Sequence, residues 1–209
     1  MPPDSVYGRV TALFVQRAPL KPGVAPHRWY DPSPVVAVDG LRVDSAGAQG
    51  LAADGAAVPD VHHPDHPLTR NRRGRNALSL LTRADLDALV ARFGPRVDAR
   101  CVAPSILLDT ATPGAALLAA GATELVLTTR DGRRLQLSHI RATPPCVEFT
   151  RWCLGRAAAP GDGAAGVDDE VADALDWLGG GRRGLYAVPA VSDPVVVRAG
   201  DTVTLGALR

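Results

Sequence analysis

Apolar positions in this chain fall mostly into short alternating or continuous runs, and only twice into a helical period. Gly8–Val15 (GRVTALFV) alternates as an opening strand. Val35–Asp44 reads as a strand carrying an Asp39-Gly40 turn signal. Asn76–Leu81 and Ser105–Thr110 are further short apolar strands, and Glu124–Ile140 has the form of a β-hairpin. Its Asp131-Gly132 predicts a type I′ turn. RGLYAVPAV (Arg183–Val191) and VVVRAGDTVTL (Val195–Leu205) close the chain as two strands. The helical period appears at Leu86, Leu89, Val90 and Phe93, behind the capping box Thr82-Arg83-Ala84-Asp85 and before Gly94-Pro95. It returns at Val171, Ala174, Leu175 and Leu178, behind Asp168, Asp169 and Glu170, where negative charge suits a helix start.

Between these elements the pattern breaks. Pro19, Pro22, Pro26, Pro32 and Pro34 preclude helix in the first connection. Residues 45–75 show no periodicity and read as one long surface loop, and Gly161–Gly166 reads as a small-residue linker. Seven or eight strands interrupted by two helices, without βαβ alternation, predict a mainly β (α+β) fold. The expected architecture is a mixed or antiparallel β-barrel with two or more peripheral helices, in a single domain over residues 1–209.

Composition narrows the chemistry. Hydrophobic residues make up 46% of the 209 and charged residues 22%, enough for a packed core without staples. The net charge of +1 gives no general attraction to nucleic acid or to anionic membranes. Lys21 is the one lysine among 23 basic residues, and it lies in a Pro-flanked loop. Pyridoxal phosphate, which needs an activated lysine, is thereby disfavoured. Cys101, Cys146 and Cys153 are odd in number and lack a CxxC pair, against a disulfide framework or a structural zinc site. No basic, apolar leader and no run of about 18–20 apolar residues is present, so a cytoplasmic setting is expected.

Three stretches carry candidate chemistry. In PPCVEFTRWC (Pro144–Cys153), two prolines fix the approach to Cys146, which suits a reactive thiol held in one orientation, with Arg141 and Arg151 near in sequence. A buried small hydrophobe is the plain alternative, and Cys153 and Cys101 read as core. The run HHPDHP (His62–Pro67) offers His62, His63, Asp65 and His66 as ligands for zinc or iron. Its prolines exclude a helical HExxH site, and a solvated loop is the alternative. Arg70, Arg72, Arg73 and Arg75 follow without neighbouring aromatics. They suit an anion better than single-stranded nucleic acid, with a solvated loop as the plainer alternative.

The order of elements in the C-terminal half, a hairpin, then Pro145-Cys146, then GRRGLYA (Gly181–Ala187), then VRAGDTVTL (Val197–Leu205), resembles the MOSC domain. That module is named for the C-terminal part of molybdenum cofactor sulfurase. Gly50-Leu51-Ala52-Ala53-Asp54 resembles the family's G-L-x-G-D turn, and Arg75-Asn76 before ALSLLT resembles its R-Q element. The resemblance runs from Gly8 to Leu205. It implies a barrel-like fold and a sulfurtransferase or a molybdenum-cofactor-dependent oxidoreductase. Cys146 would carry a persulfide or ligate molybdenum. Arg75, Asn76, Arg141 and Asp54 become candidate cofactor contacts, and His62 and His66 remain an alternative metal site. The implied partners are a sulfur donor or small-molecule substrate and a redox partner protein. The chain departs from the family at Gly55, where arginine commonly follows the aspartate, and at Ala103-Pro104-Ser105, where R-x-N is frequent. Those departures motivate a second class, a non-catalytic binding module on the same fold.

Overall fold

The computed structural model describes residues 6–69, 71, 74–156 and 167–206. Seven strands close into a mixed barrel: β1 (Val6–Gln16), β6 (Leu78–Thr82), β7 (Ile106–Asp109), β8 (Leu125–Thr128), β9 (Arg134–Ala142), β10 (Leu185–Ala190) and β12 (Thr202–Leu205). Their order is β12-β8-β9-β10-β6-β7-β1, and β1 returns to pair with β12. Every pair is antiparallel except β6 with β7, which is parallel. The parallel pair needs a crossover, supplied by α1 (Arg83–Phe93) and α2 (Ala99–Val102). Closure removes the free edges that an open sheet of this length would expose.

Beside the barrel, β3 (Gly40–Asp44), β4 (Gly47–Leu51), β5 (Ala57–Pro59) and β11 (Val195–Val197) form a second antiparallel sheet in the order β11-β3-β4-β5. The short β2 (Val35–Ala37) pairs with the end of β1. Val10, Ile106, Leu125, Leu127, Leu135, Leu137 and Val203, almost without exposure, fill one core between the strands. A second core lies outside the barrel wall. There Leu81 and Leu107 meet Leu89 of α1, Phe149 of α4 (Val147–Cys153) and Leu178 of α5 (Asp169–Leu178). The remaining helix is α3 (Gly114–Ala119).

The expected fold class holds, and the elements differ in detail. Thr82 caps α1 as its sequence predicts, its Oγ1 accepting from the Asp85 amide at 3.0 Å. Val35–Asp44 is two strands rather than one, and so is Val195–Leu205. Residues 45–75 are not all loop. GAQGL (Gly47–Leu51) pairs with β3 along its whole length, and its glycines and alanine hide it from a reading based on bulky alternation. The β8–β9 hairpin turns through Thr129–Arg133, with the Thr129 amide donating to the Arg133 carbonyl at 2.9 Å. Gly132 alone of Asp131-Gly132 has positive φ, so the connection is a five-residue loop and not a two-residue type I′ turn. The Gly161–Gly166 linker lies outside the described residues.

Candidate functional site

Strand β9 delivers the chain to Ala142, and the Thr143 amide then donates to the Gly184 carbonyl at 2.9 Å. Pro144 and Pro145 carry it to Cys146, which is extended (φ −142°, ψ 146°) and stands as the N-cap of α4. The Cys146 carbonyl accepts from both the Thr150 amide (3.0 Å) and the Thr150 Oγ1 (2.9 Å), so the residue bearing the thiol is pinned from its C-terminal side too. Glu148 in the first turn and Arg151 in the last match the helix dipole. The helix is anchored by fully buried Phe149, whose ring meets Tyr30 edge-on at 5.1 Å.

The group that meets the thiol is Arg183. Its Nη1 lies 3.3 Å from Cys146 Sγ and donates to the Pro144 carbonyl at 3.1 Å, while the guanidinium carbon sits 4.3 Å from the Phe149 ring centroid. Burial alone would push the Arg183 pKa down. Cys146, Tyr30 and Tyr186 around it more than offset that, and the guanidinium stays charged. A cation at this distance stabilises negative charge on sulfur in any step that develops it. Gly184 makes the placement possible: its φ is +97°, and a Cβ there would come within 2.5 Å of the Leu80 carbonyl oxygen. The glycine of GRRGLYA thus lets the chain press against β6 directly after Arg183.

Cys146 and Arg183 form one end of a pocket of about 410 Å³. Asn76, Ser79 and Tyr186 line its barrel side, and Val102, Ala103 and Pro104 its floor. Lys21, Arg28 and Tyr30 come from the Pro-rich connection after β1, and Val61, His62 and Leu68 from the loop after β5. Among the described residues three cations line the pocket, and no Asp or Glu does. Just behind the lining, Glu148 Oε2 stands 3.5 Å from Lys21 Nζ. Burial raises the Glu148 carboxyl, but its own amide, Lys21 and Cys146 together hold it below the usual range. The Tyr30 hydroxyl donates to the Cys101 carbonyl at 2.6 Å, and burial pushes its phenol far up, so it stays neutral.

The other two thiols are different in kind. Cys153 ends α4 at 1% exposure, and burial pushes its pKa up to about 12. Burial likewise pushes Cys101 up to about 11. Cys153 lies seven positions beyond Cys146, about 10 Å of helical rise, out of reach of a disulfide with the helix intact.

Of the candidates named from sequence, Cys146, Asn76 and His62 line the pocket. Arg141 does not; its guanidinium is bonded to Asn76 Oδ1 and to the Arg75 carbonyl, and it lies over the Tyr186 ring at 4.9 Å. It props the wall. Arg75 is exposed and outside the lining. Asp54 sits in the exposed β4–β5 turn, where its Oδ1 accepts from the Ala56 amide at 2.9 Å. Arg70, Arg72 and Arg73 lie outside the described residues.

The histidine loop does not gather a metal set. His66 Nδ1 accepts from the Leu68 amide (3.1 Å), which leaves Nε2–H to donate to the Arg17 carbonyl (3.2 Å); both nitrogens are used. His63 is buried between Asp44 (3.5 Å) and Asp65 (3.6 Å). Among the described residues no group of three His, Cys, Asp or Glu side chains is arranged to hold a metal ion. In this arrangement His66 has no ring nitrogen left to share a metal ion with His62. The turn amides of the loop, at Asp65 and Leu68, draw His63 and His66 inward as acceptors.

Arg183, Lys21, Arg28 and Tyr30 were not singled out as site residues from sequence. The one signal was the solitary lysine in a Pro-flanked loop.

Comparison with known proteins supports the fold alone. The YUAD protein from Bacillus subtilis has a crystal structure similar to this chain at a TM-score of 0.58 and 12% identity, covering 97% of both chains. A second solved structure, of a hypothetical protein, matches at a TM-score of 0.51 and 12% identity, over 96% of this chain and 69% of the other. No protein-family model and no curated protein matches the chain. No helix among the described residues is long and apolar enough to cross a membrane.

Proposed function

We propose that this chain is a MOSC-type protein acting in sulfur transfer, with Cys146 as the thiol that accepts and passes on a sulfane sulfur. The observation that carries this is the Cys146 Sγ at a pocket end, 3.3 Å from the Arg183 guanidinium, on a backbone fixed by two prolines and a helix cap. In this role the thiolate attacks the outer sulfur of a persulfide, and Arg183 balances the charge that the sulfur carries. Arg28 and Arg183 favour an anionic donor or acceptor, Lys21 being paired with Glu148 behind the lining.

The family resemblance also implies a molybdenum cofactor, and the donor set fits one. Cys146 would ligate the metal, and Lys21 and Arg28 would hold the phosphate of the pterin. The cofactor, when bound, supplies oxygen-atom and electron transfer. Arg75, Arg141 and Asp54 lie off the pocket lining and are left out of this reading.

The test is to express the protein in a host that makes the cofactor and to assay molybdenum and protein-bound sulfane sulfur. Sulfur released by reductant from the wild type and absent from Cys146→Ala supports the reading. Neither sulfur nor molybdenum in either protein, after incubation with a persulfide donor, removes it in favour of a non-catalytic binding module.

A further inference from the structure

We propose that His62, oriented by Asp60, is the proton carrier of the Cys146 pocket, taking the proton of the attacking thiol and returning it to the leaving thiolate. The inference rests on the sulfur-transfer reading of the pocket, but the arrangement that supports it is independent of Cys146.

Asp60 follows β5 and is only 4% exposed. Its Oδ2 accepts from the Gln16 amide at 2.8 Å, which ties it to the end of β1. Its Oδ1 accepts from the His62 amide at 2.8 Å and faces His62 Nδ1 at 2.9 Å. A carboxylate oxygen only accepts, so Nδ1 carries the hydrogen and the neutral ring keeps its lone pair on Nε2. Asn71 Nδ2 donates to the His62 carbonyl at 3.0 Å, holding the backbone on the other side. The His62 side chain is 24% exposed and lines the pocket that holds Cys146.

The neighbouring histidines show how selective this is. His66 has both nitrogens spent on backbone groups, and His63 is turned inward between carboxylates. Among the three, His62 is the one on the pocket wall with a ring nitrogen uncommitted to any described residue. A carboxylate-fixed tautomer, on a histidine that lines the pocket of the thiol, suits general acid–base work.

The step balances without an oxidant. His62 Nε2 takes the proton of the Cys146 thiol, and the thiolate beside Arg183 attacks the outer sulfur of a donor persulfide. One S–S bond forms to Cys146 as the donor's S–S bond breaks. The electron pair goes to the departing thiolate, which takes the proton from His62 and leaves as a neutral thiol. Arg183 serves the attacking sulfur, and His62 serves the leaving one.

That division gives a test that needs no sulfur-transfer activity, because Cys146 attacks any accessible disulfide. Alkyl thiolates are poor leaving groups that gain from protonation, whereas thiopyridone leaves readily without it. The full chain would be reacted with hydroxyethyl disulfide and with dithiodipyridine, both uncharged, following the mixed disulfide at Cys146 by mass. His62→Gln is expected to slow hydroxyethyl disulfide on the order of a hundredfold, both proton transfers being lost, and dithiodipyridine on the order of tenfold, since only removal of the thiol proton is lost. Asp60→Asn, with the tautomer freed, should follow in the same direction. At alkaline pH, where the thiol ionises unaided, the dithiodipyridine rate should return to that of the wild type, which shows that the variants are folded. Equal slowing of both disulfides, or no change in either, overturns the proposal. If the selective loss is seen but a persulfide donor leaves no sulfur on Cys146, the sulfur-transfer reading falls and the role of His62 stands.

Discussion

The two ends of α4 carry the same side chain in opposite circumstances. At its N-terminus Cys146 faces a pocket, with a guanidinium at 3.3 Å and two prolines behind it. At its C-terminus Cys153 is packed at 1% exposure, and burial pushes its pKa up to about 12. Six residues of one short helix separate a thiol suited to chemistry from one that only packs. A cysteine's role is set by which groups the fold brings to its sulfur, and a count or spacing of cysteines does not contain that information.

The sharpest way to break the contrast is to remove each thiol in turn. Cys146→Ala should abolish persulfide loading, read as the loss of one sulfur's mass after reaction with a donor, while Cys153→Ala should load normally. Next in size is selective alkylation of the native protein at pH 8. With pKa values of about 11 and about 12, Cys101 and Cys153 hold only about one part in a thousand and one in ten thousand as thiolate. Iodoacetamide should therefore modify Cys146 first, and the other two only on unfolding or as pH rises toward those values; peptide mapping against time checks this. Arg183→Met keeps the side-chain bulk over Phe149 but removes the cation, and should slow Cys146 alkylation at neutral pH by roughly tenfold.

Smaller effects separate structure from chemistry at the same two ends. Cys153→Ala leaves a small void in a packed core and should cost about 1–2 kcal/mol by urea unfolding. The weakest effect concerns Glu148, whose pKa is lowered in the folded state. A lowered carboxyl contributes stability above its unfolded pKa and loses it as pH falls through the folded value. Glu148→Gln should therefore cost about 0.5 kcal/mol near neutrality, as expected for a partly exposed pair. That difference should begin to fade as pH drops below the ordinary glutamate value of about 4.3 and vanish once the folded-state carboxyl is itself protonated.

Much of the fold was legible because local rules agree with the tertiary outcome. The α1 cap is written in Thr82 and Asp85, and the strands at β1, β6 and β7 in short apolar runs. Strand β4 was not legible, because Gly47, Ala48 and Gly50 lack the bulky side chains that mark a buried face; pairing with β3 makes it a strand. Helix α4 was not legible either, as its seven residues show no settled period until Phe149 meets Tyr30.

At the site, Pro144-Pro145-Cys146 marked the thiol from sequence because proline rigidity is a property of the residue itself. Arg183 is 37 residues away, and nothing in its neighbours distinguishes it from Arg182, which turns outward and donates to the Trp177 carbonyl. Local pattern alone specifies a mainly β chain, its capped helix, its closing strands and a thiol on a stiff elbow. Each follows from periodicity or backbone restriction, which act over a few residues. Only the tertiary structure decided which arginine meets that thiol, which of three histidines reaches the pocket, and that its lining is cationic. Those are meetings between distant segments, fixed by barrel closure and by close approaches such as Gly184 against Leu80.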